Sequence, residues 1–160
     1  TVAPEVTALE QDTLVHAREV SVAQAALALA HVHSDSLVIH ASFTGSTDAT
    51  MTMKLRQDAH SGEQTTLVWN RQTNTVTLSM AHSSLNQNTA KDTYVIPLHR
   101  SVGQTLDLHI YVDRSVIEVY IGTYAVCTLR VYPTHAARSY ALQATGTVNV
   151  NELIVRTMGL

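Results

Sequence analysis

Two carboxylates stand five residues apart in the run Leu108 to Tyr120, LHIYVDRSVIEVY. That offset across a turn can bring Asp113 and Glu118 near each other or near Arg114, and paired carboxylates suggest acid/base work. The plainer reading has Asp113 supporting the turn while Arg114 and Glu118 form surface or inter-strand ion pairs. Of the nine histidines, His31 and His33 would point their rings to one side of an extended segment. A metal would need at least a third ligand; His40 and Asp35 are available, but nothing specifies them. Solvated histidines are favoured, and no metal or cofactor is assigned. The single tryptophan, Trp69, offers an aromatic face on which a sugar could stack. A lone tryptophan in an alternating strand is more often core or inter-domain packing, and that is the first choice. The one cysteine, Cys127, has no partner for a disulfide and no local base, so it reads as a buried, inert thiol.

These residues must be positioned by strands. Leu106, Leu108, Ile110 and Val112 alternate as one buried face, and Ile117, Val119 and Ile121 repeat the pattern after Asp113-Arg114-Ser115. Gly122-Thr123 reads as a tight reversal, and Tyr124 to Val131 returns as a third strand closed by Tyr132-Pro133. The stretch is a β-meander. Further strands are expected at Thr13–Val20, Leu37–Phe43, Ala49–Arg56, Thr65–Asn70, Thr75–Met80, Tyr94–Leu98, Ser139–Ala144 and Asn149–Met158. Pro97 marks an edge or a strand end. Residues 1–12 read as a connector, and Ser21–Val32 as a short helix or irregular coil. Short strands with closely spaced turns predict an all-β fold, an antiparallel two-sheet β-sandwich of jelly-roll type over residues 13–160.

Composition narrows the partners. At 160 residues the chain suits one domain with a real core. Its net charge of -3 and its lack of a basic patch with interleaved aromatics argue against nucleic acid. No apolar run approaches a membrane span, and no signal peptide opens the chain, as expected of a mature, internal or trimmed segment.

The run Leu108 to Tyr120 resembles the signature of the C-terminal β-sandwich of glycoside hydrolase family 32, the invertases, inulinases, levanases and fructosyltransferases. Thr128 to Pro133, TLRVYP, resembles the motif that follows it. Gln64–Asn70 with Thr75–Ser84 is similar to the family's E-T-x-I-x-Y-D hairpin and downstream V-D-R-S. Pro4–Leu9 is similar to the linker between propeller and sandwich. Departures are Met80-Ala81-His82-Ser83 in place of the second V-D-R-S, Trp69-Asn70 in place of Y-D, and Gly122-Thr123 in place of an N-D-G turn. The resemblance implies structural roles for Asp113, Arg114, Ser115, Glu118, Arg130, Tyr132 and Pro133, outside any catalytic pocket.

Family members are retaining enzymes, which need two carboxyl groups roughly 5 Å apart across the scissile bond. The family carries them in W-M-N-D-P-N-G and E-C motifs, with R-D-P supplying a third acid, all in an N-terminal five-bladed propeller. The three prolines here follow Ala3, Ile96 and Tyr132, and the cysteine follows Val126, so none of these motifs is present. The expectation is a non-catalytic module supporting a propeller that acts on sucrose or fructan, with possible homo-oligomer contacts. The alternative is a stand-alone, lectin-like carbohydrate-binding sandwich. The resemblance implies a secreted or vacuole-like location.

Overall fold

The computed structural model describes residues 10–98, 105–123 and 125–159. Among these residues, eleven strands and one helix follow in the order β1 (Glu10–Ser21), α1 (Val22–Leu29), β2 (Ser36–Gly45), β3 (Thr50–Asp58), β4 (Glu63–Asn70), β5 (Thr75–Ser79), β6 (Thr93–Pro97), β7 (Thr105–Asp113), β8 (Val116–Ile121), β9 (Ala125–Arg130), β10 (Ser139–Thr145) and β11 (Val148–Met158). They form two antiparallel sheets, a six-stranded one ordered β1-β11-β2-β7-β8-β9 and a five-stranded one ordered β10-β3-β4-β5-β6. This is the sandwich the alternation predicts. The expected meander is β7-β8-β9, and Pro97 closes the edge strand β6. Tyr124, expected to open β9, and residues 1–9 of the connector lie outside the described residues. Glu10 to Asp12, read as connector, are already part of β1.

Parity decides what is buried. Met51, Met53 and Leu55 of β3, Leu67 and Trp69 of β4, and Val76 and Leu78 of β5 face inward with no accessible surface. Phe43, Leu108, Ile110, Val119 and Ile121 meet them from the six-stranded sheet. Burying each large apolar side chain contributes about 1.5–3 kcal/mol. The segment before β2 is helical because Ser21 and Gln24 form a reciprocal cap: Gln24 N donates to Ser21 Oγ at 3.1 Å, and Ser21 N donates to Gln24 Oε1 at 3.0 Å. Ala25 and Leu29 then bury one stripe of α1.

Two sheet-crossing turns interlock at one end. Ser46 N donates to Thr147 O at 2.9 Å, and Thr147 N donates to Ser46 Oγ at 3.1 Å. Gly146 has a φ of +72°, and a Cβ there would lie 2.9 Å from Ala49 Cα. Gly146→Ala is therefore expected to cost about 2 kcal/mol or more, from left-handed strain plus a backbone clash. Gly62, with a φ of +78° and open space around it, serves as the control, where alanine should cost about 1 kcal/mol. Urea denaturation midpoints of the two variants test the ordering.

Candidate functional site

The strand registers gather most of the chemistry-bearing residues at the opposite end. Across the six-stranded sheet, Glu10 lies beside Met158, Thr157 beside Leu37, Ser36 beside Asp113, and Val116 beside both Asp113 and Arg130. In the other sheet Asp58 pairs with Glu63, and Ser139 with Gln57. Two side chains join these sheet ends and show that they form one face.

The first is Arg56. It should point outward by strand parity, but a register break after Leu55 and a φ of +47° turn it into the interior, where it is 7% exposed. Its Nε donates to Ala137 O at 2.5 Å and its Nη1 donates to Arg114 O. One guanidinium thus ties the β7–β8 turn to the β9–β10 loop. Nearby, Tyr140 Oη donates to Ser34 O at 2.9 Å, and burial raises the phenol's pKa well above the usual tyrosine value.

The second is Glu63, at the inward-facing start of β4, with no accessible side-chain surface. It accepts from Thr134 N at 2.7 Å, Leu85 N at 2.9 Å, His135 N at 3.1 Å, Thr134 Oγ1 at 3.1 Å and Ser61 Oγ at 3.2 Å. Burial alone would raise its pKa, but the backbone donors of Thr134, Leu85 and His135 outweigh burial and hold it at about 2. A carboxylate so fully committed is neither a proton donor nor a free base near neutrality. Asp58, Glu63 and His135 place ligand-type atoms within 4.8 Å of one another. Five donors already occupy Glu63, so the group reads as a loop anchor.

The remaining candidates separate. Asp113 and Glu118 share the outer face of the six-stranded sheet, opposite Val116 and Tyr111 respectively. Glu118 accepts from Tyr120 Oη at 2.5 Å. Among the described residues no ion pair joins Arg114 or Glu118, and the Asp113 carboxylate accepts no hydrogen bond; the expected ion pairs and carboxylate support are corrected. The two-residue turn is held instead by Arg114 N donating to Asp35 O at 2.8 Å, by Arg56, and by Val131 N donating to Ser115 O at 2.8 Å. Arg114 adopts a φ of +54°, so these three bonds stabilise a strained residue.

Trp69 has no accessible surface. Its ring packs by Gly45, where a Cβ would meet it at 3.2 Å. The sugar-stacking role is corrected, because no face of the ring is open. Arg130 and Tyr132 are exposed, and Pro133 is half-buried between them and the Glu63 anchor. Cys127 packs partly against the core, and burial raises its thiol pKa. Among the described residues, His31, His33, His40 and Asp35 do not assemble into a ligand set. His33 meets Ser139 Oγ at 3.3 Å, Asp35 faces Arg138 at 3.9 Å, and His40 pairs with Glu10.

Glu10 makes a third cluster at this end. Its side chain, 6% exposed, meets His40 Nε2 at 2.9 Å, Arg156 Nη1 at 2.9 Å and Tyr111 Oη at 3.1 Å. Burial opposes its ionisation, yet the bonds from His40 and Arg156 lower its pKa. Sequence reasoning missed Glu10, Arg56 and Glu63. For Glu63 a signal existed: it shares the inward parity of Thr65, Leu67 and Trp69.

The fold and this end define a β-sandwich whose buried charges are spent on holding loops and the start of β1. The chain belongs to the family of glycosyl hydrolases family 32 C-terminal domains, which matches residues 5–157. No curated protein sequence matches it. Solved structures share its fold. The exo-inulinase of Aspergillus awamori is 20% identical with a TM-score of 0.69, over 92% of this chain and 28% of that one. The β-fructofuranosidase of Aspergillus kawachii, complexed with glycerol, is 17% identical with a TM-score of 0.75, over 97% and 29%. The fructan 1-exohydrolase IIa of Cichorium intybus is 14% identical with a TM-score of 0.74, over 98% and 37%. The chain thus spans about a third of those enzymes. At such identities the likeness is one of fold.

Proposed function

We propose that the chain is the non-catalytic C-terminal support of a β-fructofuranosidase-like enzyme, whose sucrose or fructan chemistry resides in an upstream propeller. Residues 1–12 serve as the linker, with its last three residues zipped into β1. One observation carries the reading. Glu10, the first described residue, lies on the same end as the Asp113–Ser115 turn, the Tyr132-Pro133 corner and the Glu63-anchored loops. A domain attached there meets a surface pre-formed by buried charges, with Tyr132 50% and Leu85 51% exposed beside it. Such a rigid, partly apolar end suits inter-domain packing.

The test is deletion in the parent enzyme. Removing residues 10–159 is expected to shorten the half-life of fructose-releasing activity at elevated temperature by about tenfold or more, as loss of a stabilising partner does. An unchanged half-life contradicts the support role.

A further inference from the structure

The two sheets end on the edge strands β1 and β9 in one and β10 and β6 in the other. An edge strand offers a row of unpaired backbone N–H and C=O groups, and proteins guard such rows with charge, bulges or cover. Three of these edges are guarded. β1 carries Asp12, Arg18 and Glu19 and two register shifts, α1 packs against β10, and β9 ends on the exposed Arg130. The fourth is open. β6, Thr93–Pro97, has no charged residue and no register shift, and Val95 is 62% and Tyr94 41% exposed. Among the described residues no strand pairs with its outer side.

Register fixes which groups β6 leaves open. Leu98 N donates to Asn74 O at 2.8 Å and Met80 N donates to Asp92 O at 2.9 Å, so alternate residues from Asp92 to Leu98 turn their backbone groups toward β5. Thr93, Val95 and Pro97 therefore turn theirs outward. Pro97, which has no N–H, stands at a position where β5 needs no donor. The open donors are the N–H groups of Thr93 and Val95, and all three residues offer an acceptor. A second, antiparallel copy of the strand, related by a two-fold axis through Val95, matches this set within the strand's own bounds. Val95 N of each copy donates to Val95 O of the other, and Thr93 N of each donates to Pro97 O of the other. No donor is left over. Charge permits the pairing as well. The nearest outward-facing charge in the sheet is Lys54 on β3, three strands in, so no like charges meet across the axis.

We propose that β6 is a self-pairing edge, through which a second copy of this chain extends the five-stranded sheet into one continuous antiparallel sheet. The inference goes beyond the support role and does not depend on it. A seam this short lies at the small end of specific interfaces, below about 1,200 Å² of buried surface, so the association is weak and reversible.

The test is sedimentation velocity of the chain from about 1 µM to about 1 mM, where a monomer–dimer equilibrium with a dissociation constant of about 100 µM is expected. Val95→Pro removes the central donor without touching the ladder to β5. It should keep the melting temperature and weaken dimerisation by about tenfold or more. Val95→Lys and Val95→Glu should each fail to dimerise alone and pair when mixed, because the axis sets position 95 against itself. Amide exchange at Thr93 and Val95 should slow as concentration rises, while exchange at Tyr94 and Ile96, whose N–H groups already face β5, stays constant. The proposal is overturned by a chain that stays monomeric up to about 1 mM, by growth past the dimer, by a dimer that survives Val95→Pro, or by a mixture of Val95→Lys and Val95→Glu that does not pair.

Discussion

Replacing Glu63 with alanine is expected to destabilise the sandwich by about 3–5 kcal/mol, measured as the loss of unfolding free energy in urea. The carboxylate is fully buried, and three backbone N–H groups from two separate loops converge on it. Alanine leaves those donors buried and unpaired, and each costs about 1–3 kcal/mol. Glu63→Gln keeps the volume but turns an amide NH₂ toward groups that are themselves donors, so it should recover only part of the loss. The wild-type chain should also show an acid-dependent loss of stability that both variants lack. The folded carboxyl has a pKa of about 2, below its ordinary value of 4.5. Its contribution is therefore complete above about pH 4.5, declines as pH falls, and is gone below about pH 2. That gap is worth up to roughly 3 kcal/mol. A Glu63→Gln variant with the same acid profile as wild type contradicts the assignment.

Arg56→Met is expected to cost about 2–4 kcal/mol in the same experiment. Methionine retains the apolar stem but leaves Arg114 O and Ala137 O without the guanidinium that links them. The damage should be local as well as global. Amide exchange at Arg114 and Val131, whose N–H groups donate to Asp35 O and Ser115 O, should accelerate ahead of exchange in β4. Arg56→Gly is a useful contrast. Glycine relieves the φ of +47° yet removes the same two bonds, so a glycine variant as stable as wild type would show that backbone strain, not bridging, dominates this position.

The strands were legible because one face of each sheet is buried and period two is hard to counterfeit. Leu106 to Val112 and Ile117 to Ile121 alternate without a break, and the observed β7 and β8 coincide with them. Trp69 was legible as core on the same ground. The segment after Ser21 was not resolved by periodicity, because Ala25, Ala26 and Leu29 fit both a helix and a strand. Its Ser21–Gln24 cap was the local feature that favours helix. Glu63 could have been recognised as an inward acid by counting back from Trp69 along β4. Arg56 could not, because parity places it outside and only the register break after Leu55 turns it in. Glu10 was read as connector because its partners His40, Tyr111 and Arg156 come from three other strands, and no local pattern announces a contact spanning the whole chain. The ion pairs expected of Arg114 and Glu118 failed for a local reason instead: Tyr120, two residues on and on the same sheet face, donates to Glu118.

The central claim is that these 160 residues form a module that supports chemistry performed elsewhere. The most direct measurement is fructose release by the purified chain, incubated at high concentration with sucrose and with inulin across pH 4–7. No release above a heat-denatured blank is expected, because the inward acid Glu63 is saturated with donors, and Asp113 and Glu118 sit on an open sheet face with no paired geometry. Catalytic release of fructose that scales with chain concentration, and is lost in Asp113→Asn or Glu118→Gln, would contradict the account.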